Sequence, residues 1–184
     1  NNSAVYIVGN SASLFYIIKY NASNGSIIFN FSAGNIDAAS AVVVDNSENI
    51  YVTGYNASNY VTISYNSSGD YIWNVSATSS ESLNAYGIAV DNNDGVYVTG
   101  KGSSGSDYFY TIKYNISSNG DHVWNSTFDS MGNEVAYGIA ADNNDSIYVT
   151  GIFNNKFHTI KYNASNGSEI WNASHSAGAG GAYE

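Results

Sequence analysis

The chain has 184 residues, 43% of them apolar, which is enough for a packed core and excludes a disordered polar segment. Fifteen Asp and Glu against five Lys and no Arg leave a net charge of −10, which excludes a phosphate-neutralising nucleic-acid face. There is no Cys to form a disulfide, and no apolar run approaches the ~18 residues that a membrane-spanning helix requires.

The predicted elements are strands from end to end, because no segment sustains an apolar period of 3.6 residues. Tyr6-Ile-Val-Gly9 and Ile17-Ile-Lys-Tyr-Asn21 come first and are closed by Phe29-Asn30. Residues 41–45 and 50–53 follow as a pair around an Asp/Asn turn, then Thr62-Ile-Ser-Tyr-Asn66 and Trp73-Asn74. The next unit is the clearest: 86–91, the turn Asn92-Asn-Asp-Gly95, 96–99, 108–114 and 121–127. Two short apolar runs around an Asx/Gly cluster read as a hairpin. Residues 137–142 and 147–150, then Thr159-Ile-Lys-Tyr-Asn163 and Trp171-Asn172, repeat the pattern a last time.

The recurrence is internal and in register. Tyr6-Ile-Val-Gly9, Tyr51-Val-Thr-Gly54, Tyr97-Val-Thr-Gly100 and Tyr148-Val-Thr-Gly151 are spaced 45 to 51 residues apart. A period in that range belongs to propellers, solenoids and arrays. Strands apolar on both faces need cover on both faces, and four-stranded antiparallel blades around an axis supply it. The expectation is therefore all-β: a β-propeller of about four blades, residues 1–184 forming one array with units at about 1–38, 39–84, 85–135 and 136–184. Phe29, Trp73, Trp124 and Trp171 stand at one fixed place per unit and are expected to dock neighbouring blades.

The pattern Ala85-Tyr-Gly-Ile-Ala-Val-Asp91, Tyr97-Val-Thr-Gly100, then Thr111-Ile-Lys-Tyr-Asn115, Gly120 and Trp124 resembles the bacterial and archaeal beta-propeller repeat family of the SBBP type. The resemblance recurs four times along the chain. It implies a propeller on an exported or surface protein and implies no fixed catalytic set. The run from Asn163 through Gly167 to Trp171 is also similar in spacing to the tryptophan-docking motif of quinoprotein propellers. SBBP-type propellers are expected to have more than four blades. The sequence opens just after the place for a first inner strand and closes at Ala182-Tyr183-Glu184 as another begins. A fragment of a longer array, or completion of the open blade by a neighbouring chain, follows as the expectation.

N-x-Ser/Thr acceptor sequences occur at 13 positions: Asn1, Asn21, Asn24, Asn30, Asn56, Asn66, Asn74, Asn115, Asn125, Asn144, Asn163, Asn166 and Asn172. With 27 Asn and 36 Ser/Thr, random placement gives roughly five. Eight of them fill two equivalent positions in every unit. Duplication of one ancestral pair explains that register, but not the extra sites at Asn56 and Asn144. Propeller topology puts Asn21, Asn66, Asn115 and Asn163 on one rim and Asn30, Asn74, Asn125 and Asn172 on the outer strand. An outer strand has room for a bulky sugar, which would also block unwanted edge pairing.

Catalytic constellations are missing from the sequence. His122, His158 and His175 fall at non-equivalent positions, and neither a zinc motif nor a Gly-x-Ser-x-Gly elbow occurs. Asp91, Asp94, Asp142 and Asp145 invite a calcium reading, but the spacing lacks the acidic twelfth-position ligand, and Asp also caps tight turns. The expected function is a non-catalytic, heavily N-glycosylated structural or adhesive protein of the cell surface. It carries N-linked glycans, uses no other cofactor and assembles into a filament or surface layer by strand sharing. The alternative is a propeller that binds carbohydrate or protein through its variable loops, longest at residues 100–107. A quinoprotein-like or glycosidase-type enzyme ranks third.

Overall fold

The computed structural model describes residues 4–11, 14–33, 37–57, 59–77, 82–93, 95–142 and 144–176. Among them lie 15 strands and no helix, arranged as four antiparallel sheets. Blade 1 is β1 (Ala4–Ser11), β2 (Leu14–Asn21) and β3 (Ile27–Ala33). Blade 2 is β4 (Ala38–Val44), β5 (Ile50–Asn56), β6 (Asn59–Tyr65) and β7 (Tyr71–Ala77). Blade 3 is β8 (Ser82–Val90), β9 (Gly95–Ser103), β10 (Asp107–Asn115) and β11 (Asp121–Phe128). Blade 4 is β12 (Glu134–Ala141), β13 (Ser146–Phe153), β14 (Lys156–Asn163) and β15 (Glu169–His175). Every blade is a meander in which sequence neighbours pair.

Apolar burial lies between blades rather than within them. Phe15 and Ile17 of blade 1 pack on Ile50, Val52 and Ile63 of blade 2. Tyr51, Tyr60 and Trp73 of blade 2 pack on Leu83, Val96 and Val98 of blade 3. Tyr97, Phe109 and Trp124 of blade 3 pack on Ile147, Val149 and Ile160 of blade 4. Strands β5, β6 and β9 are buried on both faces over most of their length, which is why they read as unbroken runs of Val, Ile, Tyr and Thr.

The inner strand departs from the uniform run expected of it. Its pairing with the second strand shifts at Ala39/Ala41, Ala85/Gly87 and Ala136/Gly138, the same place in blades 2, 3 and 4. Such bulges bend a strand and re-aim its side chains. The bulged residues Tyr86 and Tyr137 meet across blades with ring centroids 5.6 Å apart. A second shift recurs between the third and outer strands, at Lys19/Tyr20, Ser64/Tyr65, Lys113/Tyr114 and Lys161/Tyr162.

The long loop expected at 100–107 is a hairpin. Lys101, Gly102 and Ser103 pair with Phe109, Tyr108 and Asp107, leaving only Ser104, Gly105 and Ser106 as the turn. Gly102 allows this because the Tyr108 ring occupies the space a Cβ would fill, 2.2 Å from its place. An ion pair of 3.1 Å between Lys101 and Asp107 closes the ribbon. The terminal stub at Ala182 to Glu184 lies outside the described residues.

Candidate functional sites

The outer strands of blades 1, 2 and 3 each offer an aromatic ring to the next blade, and a glycine receives it. The ring of Trp124 in β11 lies over Gly167, where a Cβ would come 2.6 Å from the indole. Gly167 has a φ of +72°, a conformation an L side chain resists, so the position demands glycine twice over. The indole Nε1 donates to the Ala164 carbonyl at 3.0 Å, and Lys113 Nζ donates to the same oxygen at 2.9 Å. Trp73 sits on Gly120 of blade 3 in the same way. Both indoles are buried. At the first junction the smaller Phe29 does not suffice alone. Phe31, not singled out from the sequence, is the nearer ring over Gly69, 2.9 Å from the place of a Cβ against 3.7 Å for Phe29. Lys19 Nζ there reaches the Ser67 carbonyl at 3.4 Å and Glu48 at 3.2 Å.

The similarity in spacing from Asn163 through Gly167 to Trp171 places a glycine and a tryptophan in one repeat. In space Gly167 receives Trp124 of the preceding blade, and Trp171 remains 43% exposed. A second contact accompanies the first. Phe109 points at Gly151 of blade 4, and Tyr60 points at Gly100 of blade 3. A Cβ on Gly151 would meet the Val135 carbonyl at 2.0 Å and the Phe109 ring at 2.8 Å.

The acceptor asparagines occupy turns and outer strands. Asn21, Asn66, Asn115 and Asn163 are half-buried at the turns before the outer strands. Their Oδ1 atoms accept from backbone N–H groups of the turn, from Ser23 at 2.8 Å, Ser68 at 2.9 Å, Ser118 at 3.2 Å and Ser165 at 2.9 Å. Asn24 and Asn166, exposed in the same turns, bind Ser26 and Ser168 likewise. Glycosylation modifies Nδ2, so these turn bonds and a sugar can coexist on one side chain. Asn30, Asn74, Asn125 and Asn172 are exposed on β3, β7, β11 and β15. Asn56 and Asn144 are exposed as well, and Asn1 lies outside the described residues.

The Asp-rich turns use their carboxylates internally. Asp91 Oδ1 accepts from the Asn93 and Gly95 amides at 2.8 Å each, and its Oδ2 accepts from the Tyr97 hydroxyl at 2.6 Å. Asp142 repeats this with Asn144, Ser146 and Tyr148, and Asp45 with Ser47, Asn49 and Tyr51. Desolvation pushes the Asp142 carboxyl upward, but the two amides and the Tyr148 hydroxyl outweigh it and hold it below its ordinary range. Asp145 has a φ of +56° and gives its carbonyl to the Ala164 amide. Asp94 lies outside the described residues, among which no three metal-ligating side chains converge.

The three histidines stay apart. His122 and His175 are exposed, whereas His158 is buried between blades 3 and 4. Its ring stacks on Phe128 at 4.4 Å, and its Nδ1 lies 2.7 Å from Ser174 Oγ. A hollow of about 220 Å³ is lined by Ser104, Tyr108, Thr127 and Asp129.

Residues 77–109 match the model of the SBBP beta-propeller repeat. No curated protein matches the sequence. Among solved structures, the chain is similar to one described as "Structure of U3-55K", with 11% identity over 92% of this chain and 48% of that one, at a TM-score of 0.70. It is also similar to the WD40 repeats of RRP9, with 11% identity over 86% of this chain and 44% of that one, at a TM-score of 0.67. The Dos1 propeller aligns with 10% identity over 94% of this chain and 46% of that one, at a TM-score of 0.63. The chain thus spans about half the length of each. At these identities the likeness is one of fold: the four sheets are blades of a β-propeller.

Proposed function

Taking the chain as a set of SBBP-type propeller blades, we propose that it is a non-catalytic, N-glycosylated structural or adhesive component of a cell surface. The observation that carries this reading is the repeated pair of acceptor asparagines. One member stands at the turn before the outer strand of each blade and the other on the outer strand itself, and all eight reach solvent. Of the acceptor residues two places beyond the outer-strand Asn, Ser32, Ser76 and Thr127 are exposed, and Ser174, also exposed, bonds the buried His158. Sugars at these places would ring the perimeter and one rim, leaving the contacts between blades untouched. Such a coat suits an exported protein, and association of chains by strand sharing is part of the same reading. The test is the intact mass of native protein before and after chemical deglycosylation. A mass loss together with sugar-bearing peptides at Asn74 and Asn125 is expected. An unmodified native mass overturns the glycoprotein reading.

A binding propeller is the second reading, favoured by the polar hollow at Ser104, Tyr108, Thr127 and Asp129. A glycan-array signal that disappears on Asp129→Ala would support it, and an array without signal would remove it.

A further inference from the structure

The three junctions between blades share one plan but are filled differently. Between blades 1 and 2, Phe31 of β3 packs on Tyr65 with ring centroids 4.9 Å apart. Between blades 3 and 4, Phe128 of β11 stacks on His158 at 4.4 Å. Blade 2 offers neither ring to blade 3. Val75 stands in β7 at the place of Phe31, and Ala77 at the place of Phe128. A crevice of about 290 Å³ is left open there, bordered by Ala77, Tyr110, Ile112, Tyr114, His122 and Asn125. At ~30 Å³ for each water it equals roughly ten waters, room for one pyranose ring and not for a chain of them.

Its walls are both polar and aromatic. Tyr110 is half-buried, and Tyr114 is only 3% exposed. The Tyr114 hydroxyl has no hydrogen-bond partner among the described residues, whereas the equivalent Tyr162 has the Ser126 hydroxyl beside it. Val75 stands where that serine would be. Burial raises the pKa of Tyr114 well above its ordinary value, so the hydroxyl keeps its proton and can donate. A buried hydroxyl left unpaired costs stability. Asn125 opens the acceptor sequence Asn125-Ser126-Thr127 and pairs across the strands with Ile112. Cross-strand partners share a face, so Asn125 faces blade 2 as Ile112 does. Trp124, one residue earlier, faces blade 4.

We propose that the crevice between blades 2 and 3 seats one pyranose ring, and that this ring is the first sugar carried by Asn125. The inference rests on the glycoprotein reading above and gives one of the sugars a structural role. A pyranose brings an apolar C–H face to the Tyr110 ring and hydroxyls to the polar wall, a pairing that suits a tyrosine's apolar body and polar tip. One of those hydroxyls accepts from Tyr114. The covalent link to Asn125 makes the contact intramolecular, so a modest interaction is enough to hold the ring. The ring adds contacts between the blades and displaces none. Asn74 carries the equivalent acceptor in blade 2, but it faces the junction that Phe31 already fills.

The test compares protein from its native cell with the same chain made in a host that does not glycosylate. Peptide mapping of the native protein is expected to find a sugar on Asn125. In native protein Asn125→Gln should lower the melting temperature by about 2–4 °C. Thr127→Ala, which keeps Asn125 but removes the acceptor sequence, should do the same. Asn74→Gln should shift it by less than ~1 °C. None of the three should matter to the unglycosylated chain. Tyr114→Phe should lower the melting temperature of the glycosylated protein. In the unglycosylated chain it should leave that temperature unchanged or raise it, since there it removes an unpaired hydroxyl. A native protein with no sugar on any acceptor overturns both this inference and the glycoprotein reading. Sugar elsewhere with Asn125 bare, equal losses at Asn74 and Asn125, or a loss that persists without sugar overturns the seat in the crevice alone. So does a Tyr114→Phe loss of the same size in both proteins.

Discussion

The junction between blades 3 and 4 and the outer face of blade 4 are built from the same residues at equivalent positions, yet only one of them is a core. At the junction, Trp124 lies over Gly167 and Phe109 against Gly151, with no room for a Cβ at either glycine. On the outer face Trp171 and Phe157 hold the equivalent places and are exposed among the described residues. Burial of an aromatic side chain contributes stability only when a partner completes its environment. The same sequence motif is therefore buried in one blade and exposed in the next. In a repeat array each unit's stability is a sum of its own terms and those of its neighbours.

The sharpest way to break this comparison is a pair of truncations. Trp124→Ala should cost about 3–5 kcal/mol, the usual range for removing a buried aromatic, while Lys113 still donates to the Ala164 carbonyl. Trp171→Ala, measured at a dilution that keeps chains apart, should cost under ~1 kcal/mol, as surface substitutions do. Urea unfolding of both variants checks this. Equal costs would mean that Trp171 is covered by the chain itself. A second pair adds bulk instead of removing it. Gly151→Val forces a Cβ to within 2.0 Å of the Val135 carbonyl, an overpacking that should cost about 3 kcal/mol or more. Gly9→Val in the dilute chain should be near neutral, since its space is open and Val suits a strand.

Much of this architecture was legible in the sequence, and the remainder was hidden for identifiable reasons. Tyr97-Val-Thr-Gly100 announced a strand because buried two-faced strands leave an unbroken apolar run. Asn66 and Asn115 could be placed on a rim because a meander fixes which turns share a side. Partnership across blades could not be read the same way. Gly167 and Trp171 sit in one repeat at a suggestive spacing, but the sheet twist turns each ring toward the following blade, so Gly167 meets Trp124. Phe31 was missed because it lies two residues beyond the repeated aromatic position, on the same face of β3. Gly102 and Ser103 looked like loop residues by composition. Only the three-dimensional register shows that the Tyr108 ring substitutes for the side chain Gly102 lacks.

The Asp turns extend the comparison to hydrogen bonding. Asp91→Ala would leave the fully buried Tyr97 side chain with only a 3.5 Å approach of its hydroxyl to the Ala164 carbonyl, and would orphan two turn amides. Loss of about 1–3 kcal/mol is expected for groups stranded in this way. The same change at Asp142 should cost less, because Tyr148 is only half-buried and water can replace the carboxylate. Thermal melts of the two variants, run together, test the ordering. A larger loss at Asp142 would contradict it.

The smallest expected effect isolates one junction by pH. His158 is 1% exposed among Phe109, Phe128 and Phe153, and its Nε2 is buried without a partner. Desolvation lowers its affinity for a proton below the ordinary 6.5, although Glu169 and the buried Glu134 pull in the other direction. The folded state then binds a proton less readily than the unfolded chain, so stability from this group is fully present above about pH 6.5. It is lost as the pH falls below that value toward the depressed folded pKa. The outer face of blade 4 has no corresponding histidine buried against a neighbour, so the effect belongs to the junction alone. His158→Phe should remove this component, giving a flatter stability profile across the interval just below pH 6.5. Denaturant midpoints measured for both proteins in steps across that interval decide it: parallel profiles would show that the protonation of His158 is not coupled to the joining of blades 3 and 4.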